Sequence, residues 1–340
     1  MSPNHGNPFE EDRSMCTSVS TVVRRTLACA LAFVASGALA ADGYLLQRGT
    51  LVDATDAVLY SMEPEGAIVA RHVTSGNVIW ASPIQGEPLG LVGDRLVALA
   101  EPTDPRRAEV IFLNAESGTA ESTIGFELPV GATVSIDDLP HRRFRAAIAA
   151  AAPATDVYLH WSFSASPLRG ALLEEEASAQ PRKSSSVQLQ GVLRLDPMTG
   201  SAVVVESRHA QQLPAAFVPD LRDNERIPQL AGRQFRSVDD RFVLASRRVG
   251  DVRTWERYRW TVADRETGQR IGAVLRPTSM ASFFVADSTM LQVSQPQLRR
   301  LPSGELEAKG LRLEAFDLRS GSRQWTADLR DTAFRGAMPP

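Results

Sequence analysis

The sequence predicts an all-β fold of the β-propeller type, assembled from about five to seven degenerate four-stranded blades. Three observations lead there. Beyond residue 43 the chain runs in short β-branched and apolar stretches separated by turn residues. Long amphipathic stretches are scarce, with Phe144 to Ala152 the best helical candidate. Five segments then align on one glycine through the same turn signal, and two of them carry a tryptophan four residues later, Trp80 and Trp325.

The five segments end at Gly76, Gly118, Gly200, Gly268 and Gly321. Four residues before the glycine stands Asn114, Asp196, Asp264 or Asp317, with His72 in that place in the first copy. Ser or Thr always precedes the glycine directly. A short Asp or Asn side chain accepts hydrogen bonds from backbone N–H groups two and three residues on, and glycine supplies the positive φ that lets the chain reverse. A strand on either side makes a hairpin, and a tryptophan just past it offers a large apolar face to a neighbour.

The glycines are spaced by 42, 82, 68 and 53 residues, against the roughly 40–45 of a four-stranded blade. The first interval fits one blade. The second has room for a hidden blade, or for one blade and an insertion. The acidic and then Ser-rich run from Leu172 to Ser186 favours the insertion. Irregular insertions are therefore placed near 165–190 and 208–236 within a single domain spanning 41–340. Residues 44–52 are expected to add a strand to the last blade and so close the ring.

Residues 1–40 read as an export signal. Arg24 and Arg25 precede an apolar run from Leu27 to Val34, and Ala38-Leu39-Ala40 offers a cleavage site. The 16 residues between Arg25 and Asp42 fall short of the roughly 20 that span a bilayer, so no transmembrane span is expected in the mature chain. The first fourteen residues make a long polar leader, and Met15 is a natural alternative start. The flanks of Arg24-Arg25 match the twin-arginine pattern poorly, which points to general secretion into the periplasm or beyond. Cys16 and Cys29 are the only cysteines, and both fall in the removed segment. The mature protein then has no disulfide and no thiolate chemistry. Cys29 begins the apolar run rather than following it, which argues against a lipid anchor.

Charge and composition exclude more than they assign. A net charge of −3 gives no reason to expect nucleic acid as a partner. All of the 37 basic residues except Lys183 and Lys309 are arginines. Arginine's planar fork suits anion recognition, but the alanine-rich composition beside it reads as coding bias. The chain lacks a Gly-x-Ser-x-Gly elbow and a phosphate-cradling glycine loop. The histidines past residue 40 are His72, His141, His160 and His209, and none stands at a short metal-ligand spacing from another. Asp137-Asp138 with His141 comes nearest to a metal constellation and reads as a solvated loop. Among the many carboxylates no pair is singled out for acid–base work. Arg253 to Trp260 is the one aromatic-basic stretch. Strand alternation places Trp255, Arg257 and Arg259 on one face, either as a surface for sugars, lipids or an anionic partner, or as blade-rim residues beside a core of Tyr258 and Trp260.

Phe316-Asp317-Leu318-Arg319-Ser320-Gly321-Ser322-Arg323-Gln324-Trp325 resembles the blade motif of PQQ-like β-propellers, the pyrroloquinoline-quinone-type repeat, and His72 to Trp80 is similar with a substituted first position. The other three copies lack the tryptophan. The resemblance implies an envelope protein of propeller fold, similar to the propeller lipoproteins of the outer-membrane β-barrel assembly machinery, though without their lipid cysteine. Quinoprotein enzymes of this fold use a calcium site and often adjacent cysteines. The mature chain has no cysteine and no matching acidic cluster, so no cofactor is expected. The expectation is a non-catalytic interaction scaffold whose partners are other envelope proteins. An envelope enzyme and a propeller binding a quinone- or carbohydrate-related ligand are the rival readings.

Overall fold

The computed structural model describes residues 43–139, 141–151, 156–166, 186–205, 234–236, 241–249, 257–276, 283–286, 288–294, 296–300 and 306–332. The segment expected to direct export and most of both expected insertions lie outside them. Every element among the described residues is a β-strand, and every strand pairing is antiparallel. The chain begins as a meander of β1 (Tyr44–Gln47), β2 (Thr50–Asp53), β3 (Val58–Met62) and β4 (Ala67–His72) that runs into the long β5 (Val78–Val92). The first half of β5 completes this first sheet by pairing with β4, and its second half opens the next by pairing with β6 (Arg95–Ala100). β7 (Arg107–Asn114) and β8 (Ala120–Glu127) complete that second sheet.

Three further meanders follow. The third sheet holds β9 (Arg142–Ala151), β10 (Asp156–Ala165), β11 (Val187–Asp196) and β12 (Ser201–Val204). The fourth holds β13 (Gln234–Arg236), β14 (Phe242–Val249), β15 (Arg257–Asp264) and β16 (Arg270–Arg276). The fifth begins with β17 (Phe283–Ala286) and β18 (Thr289–Ser294). It is interrupted by a separate hairpin of β19 (Gln297–Arg300) and β20 (Leu306–Lys309), and ends with β21 (Arg312–Asp317) and β22 (Arg323–Asp328). Each of the five aligned glycines lies in the turn between the last two strands of a sheet.

Strands buried on both faces reveal how the sheets stack. Along β6, Leu96, Ala98 and Ala100 join Leu51, Tyr60 and Ile68 of the first sheet, whereas Val97 and Leu99 join Leu159, Trp161 and Leu195 of the third. The second sheet is thus sandwiched between its neighbours, which is why β6 reads as a continuous apolar run and not as an alternation. Along β18, Met290 packs with Phe242 and Val262 of the fourth sheet, while Leu291 and Val293 pack with Val52, Leu59 and Val73 of the first. The last sheet therefore returns to the first. Among the described residues, shared apolar clusters join the first sheet to the second, the second to the third, the fourth to the fifth and the fifth to the first, which is the packing of a β-propeller.

Three sequence expectations are corrected. Phe144 to Ala152 is not helical: Phe144 to Ala151 lies in β9 and pairs in register with β10 from Ala151↔Asp156 to Phe144↔Phe163. Alanine favours a helix locally, but Phe144 and Ile148 are buried in the core shared with the second sheet, and tertiary packing overrides the propensity. Residues 44–52 do not extend the last sheet. The turn at Arg48-Gly49, where Gly49 has φ +74°, folds β1 back onto β2, so the described contacts that close the ring are side-chain packing and a C-terminal strap. The interval from Gly118 to Gly200 holds one sheet among its described residues, β9 to β12, with the long connection 166–186 between β10 and β11. The ends of both expected insertions are strand: Val187 to Gln190 belongs to β11 and Gln234 to Arg236 forms β13.

Candidate functional site

The five turns share one geometry. In each, the glycine N–H donates to the carbonyl four residues earlier, at 2.8 Å in the first and 2.7 Å in the last, and the glycine φ values run from 67° to 72°. Asn114 Oδ1 accepts from the N–H groups of Glu116 and Ser117, Asp196 from Met198 and Thr199, and Asp264 from Glu266 and Thr267. Asp317 accepts from the Arg319 N–H and the Ser320 hydroxyl. At Asp196 and Asp264 these bonds stabilise the charged form. The Thr199 side chain and backbone hold Asp196 below the usual carboxylate range, and the Thr267 N–H leads the same effect at Asp264. In the first copy His72 has no such oxygen, yet the backbone bond forms and Ser75 Oγ accepts from Asn77 N–H. Asp317→Ala is expected to lower stability by about 1–3 kcal/mol, measured as a shift in the urea midpoint. An unchanged midpoint would remove the side chain's part in the turn.

Each tryptophan reaches across to the next sheet. Trp80, on the outer strand of the first sheet, donates from Nε1 to Ala115 O at 2.9 Å and lies over Gly118 of the second. Trp325, on the outer strand of the fifth, donates to Val73 O at 3.0 Å and lies over Gly76 of the first. A Cβ at Gly118 would sit 2.4 Å from the Trp80 ring, and one at Gly76 would sit 2.5 Å from the Trp325 ring. At Gly200 and Gly268 a Cβ would meet nothing within 4 Å, in keeping with the absence of a tryptophan in the preceding copies. Trp325 thus docks across the seam that joins the chain's last sheet to its first.

A second tie at that seam is ionic. Arg330, which follows β22 and whose side chain is 2 % exposed, forks onto Glu101 at 2.7 and 2.9 Å and onto Asp137 at 3.2 and 3.3 Å. Its backbone N–H donates to Met62 O of the first sheet, and Thr332 O accepts from Asp138 N–H. Leu329–Thr332 therefore straps the last sheet to the first and to the segment before β9. Beside it, Arg48 donates to both Glu87 oxygens at 2.9 Å and to Asp138 at 2.7 Å, and Arg145 forks onto Asp138 as well. Burial opposes the Asp138 charge, but the Arg145 hydrogen bond and the charges of Arg48, Arg145 and Arg143 outweigh it, and its pKa lies below the usual range. Pairing with Glu101 and Asp137 likewise outweighs burial and raises the pKa of Arg330 above the ordinary guanidinium range.

Asp137 and Asp138 are therefore not the solvated loop expected of them: both carboxylates are half-buried, Asp137 held by Arg330 and Asp138 by Arg48 and the nearby Arg145. The Nδ1 of His141 is buried without a hydrogen-bond partner. Arg48, Glu87, Glu101 and Arg330 carry no signal in the sequence, because their paired residues lie 39 to 229 positions apart, whereas Arg145 stands seven positions from Asp138. Of the aromatic-basic stretch, Arg257 and Arg259 fall in β15, and Trp255 lies outside the described residues.

His160 on β10 is a further buried group. Burial lowers its pKa. The unfolded chain then takes up a proton near the ordinary value of about 6.5 while the folded chain does not. Stability is full above that pH and is expected to fall as pH drops from about 6.5 toward the depressed folded value. Urea midpoints across pH 7.5 to 5 should show the decline, and His160→Gln should flatten it. An equal slope in both proteins would assign the effect elsewhere.

No family model matches the chain, and no curated protein matches it. Among solved structures it is similar to hydrazine synthase of Kuenenia stuttgartiensis, with 11% identity over 77% of this chain and 60% of that one, at a TM-score of 0.25. The chain thus spans about three-fifths of that protein's length. The Dos1 propeller aligns at 9% identity over 82% of this chain and 70% of that one, with a TM-score of 0.26. The β-propeller domain of Myceliophteria thermophila Cps50 (Swd1) aligns at 11% identity over 86% and 87%, with a TM-score of 0.24.

Proposed function

We propose that this chain is an exported, non-catalytic PQQ-like β-propeller of five blades that serves as a protein-interaction scaffold in the cell envelope. One observation carries the reading: a stack of antiparallel sheets, the last packed on the first, in which the third and fifth carry long connections between their middle strands. β3 and β4 are joined briefly through Glu63–Gly66, and β6 and β7 through Glu101–Arg106. The connection 250–256 between β14 and β15 is of similar length, whereas β10 and β11 are joined by residues 166–186 and β18 and β21 by a segment that includes the β19–β20 hairpin. Rigid strands that hold long connections on one side suit binding, because the frame limits the entropy lost when a partner docks. The reading of residues 1–40 as an export signal supports a location in the periplasm or outside the cell.

Co-purification from the native envelope after mild cross-linking, followed by mass spectrometry, tests this. A reproducible stoichiometric protein partner is expected, lost when residues 297–309 are replaced by a short glycine-serine turn. A protein that emerges without partners would overturn the scaffold reading.

A further inference from the structure

The outer edge of the third sheet differs from that of every other sheet. The last strands of the others each carry a charge or a proline: Pro83 in β5, Glu121 in β8, Arg270 in β16 and Arg323 in β22. Such residues keep an edge strand from pairing with another chain. β12 has neither. It reads Ser201-Ala202-Val203-Val204, and Val205 follows it. Val203 is 50 % exposed and Val204 72 %, and Met198 in the turn before them is 82 % exposed. The corner beside this strand is bare as well. Trp325 covers Gly76 of the first sheet and Trp80 covers Gly118 of the second, but a Cβ at Gly200 of the third would meet nothing within 4 Å.

The backbone of β12 presents an open edge. Among the described strands it pairs with β11 alone, from Leu193↔Val204 to Asp196↔Ser201. Just past the strand, Val205 N–H donates to Val192 O at 2.9 Å. In an antiparallel ladder, residues that exchange bonds with one neighbour alternate with residues that do not. Val205, Val203 and Ser201 therefore direct their backbone groups to β11, and the N–H and C=O of Ala202 and Val204 point out of the sheet edge. Side chains alternate too. Ala202 packs on the core shared with the second sheet, and Val203 stands on the opposite face, across from Arg194 in the register.

We propose that two molecules of this chain associate by pairing their β12 strands antiparallel, about a two-fold axis that passes through Val203. In that register Ala202 of one molecule stands opposite Val204 of the other, and each such pair exchanges both of its N–H···O bonds. The outward-pointing groups of both strands are then satisfied within the strands themselves. Registers shifted by two residues set Ala202 or Val204 against itself and leave the other opposite a residue beyond the strand. A second copy fits this edge because the same two residues give and receive every bond, so the interface is self-complementary. It also opposes no like charges, since Val203 meets Val203. The edge is short, which puts the buried area at the low end for specific interfaces and makes the dimer dependent on concentration. The inference stands apart from the scaffold reading, which rests on connections between middle strands and not on the outer edge.

The test is sedimentation equilibrium of the full chain from about 1 μM to about 1 mM, a span that covers the affinities such an edge supplies. The mass is expected to rise toward that of a dimer and stop there, because a two-fold interface closes on itself. Val203→Glu sets a carboxylate across from Arg194 within one molecule, which suits the fold, but against its own counterpart across the axis. It should weaken association about fivefold or more, as like charges directly opposite do. An equimolar mixture of Val203→Glu and Val203→Lys should recover association, because the axis then sets Glu against Lys. Val204→Pro deletes a donor that points out of the edge and should abolish the dimer with no bond to β11 lost. Should it unfold the sheet, the Val203 variants and their mixture decide. Thr326→Glu, at an exposed position on β22, should leave association unchanged. A monomer throughout the range, a mass that climbs past the dimer, a dimer that survives the edge variants, or a mixture that associates no better than Val203→Glu by itself would each overturn the proposal.

Discussion

Gly118→Ala is expected to destabilise the protein by about 3–5 kcal/mol, the range for losing a packed aromatic side chain. Two effects act together. The left-handed backbone at φ +72° penalises any Cβ, by about 1–2 kcal/mol. The new methyl would also lie 2.4 Å from Trp80, whose indole is held in place by its bond to Ala115 O, so the ring must leave its seat. Gly76→Ala should behave alike at the closing seam, where Trp325 docks. Gly200→Ala and Gly268→Ala are the controls. They carry the same positive φ with nothing within 4 Å, so only the backbone penalty of about 1–2 kcal/mol remains. Urea midpoints followed by tryptophan fluorescence separate the pairs. Equal losses at all four glycines would show that the docked rings contribute nothing.

Arg330→Ala is expected to lower stability by about 3 kcal/mol, the lower end of the range for breaking a buried ion pair. The low end applies because Glu101 and Asp137 keep side-chain exposures of 30 % and 20 %, which lets water soften the charges left behind. Arg95→Ala removes a pair with Glu121 in which both side chains are 33 % exposed, and should cost less than about 1 kcal/mol. Acid acts on the same cluster. The folded pKa of Asp138 is depressed, so its contribution is complete above the ordinary carboxylate value of about 3.9 and is lost as pH falls below that toward the folded value. Asp138→Asn should therefore flatten the stability profile below pH 4. A similar small loss for Arg330→Ala and Arg95→Ala would show that the strap does not hold the ring.

What was legible in the sequence was local. The Asp/Asn, Ser/Thr and Gly pattern writes a turn within five residues, and each of the five turns stands between the last two strands of a sheet. The tryptophans were visible as large faces beside those turns, but not the glycine each covers, because that glycine belongs to the next sheet. Phe144 to Ala151 was misread because an alanine-rich run states a helical preference that a neighbouring strand can outbid. Asp137 and Asp138 were misread because their arginine partners come from β9, from the β1–β2 turn and, 193 positions away for Asp137, from the end of the chain.

The sequence by itself determined the all-β class, the turns and the repeat they mark, since these follow from backbone sterics and side-chain bonds spanning a few residues. Tertiary structure alone decided how the last sheet meets the first and which carboxylates are neutralised. Each of these depends on faces and charges brought together from distant strands, and packing and Coulomb energy act on distance in space with no regard for distance along the chain.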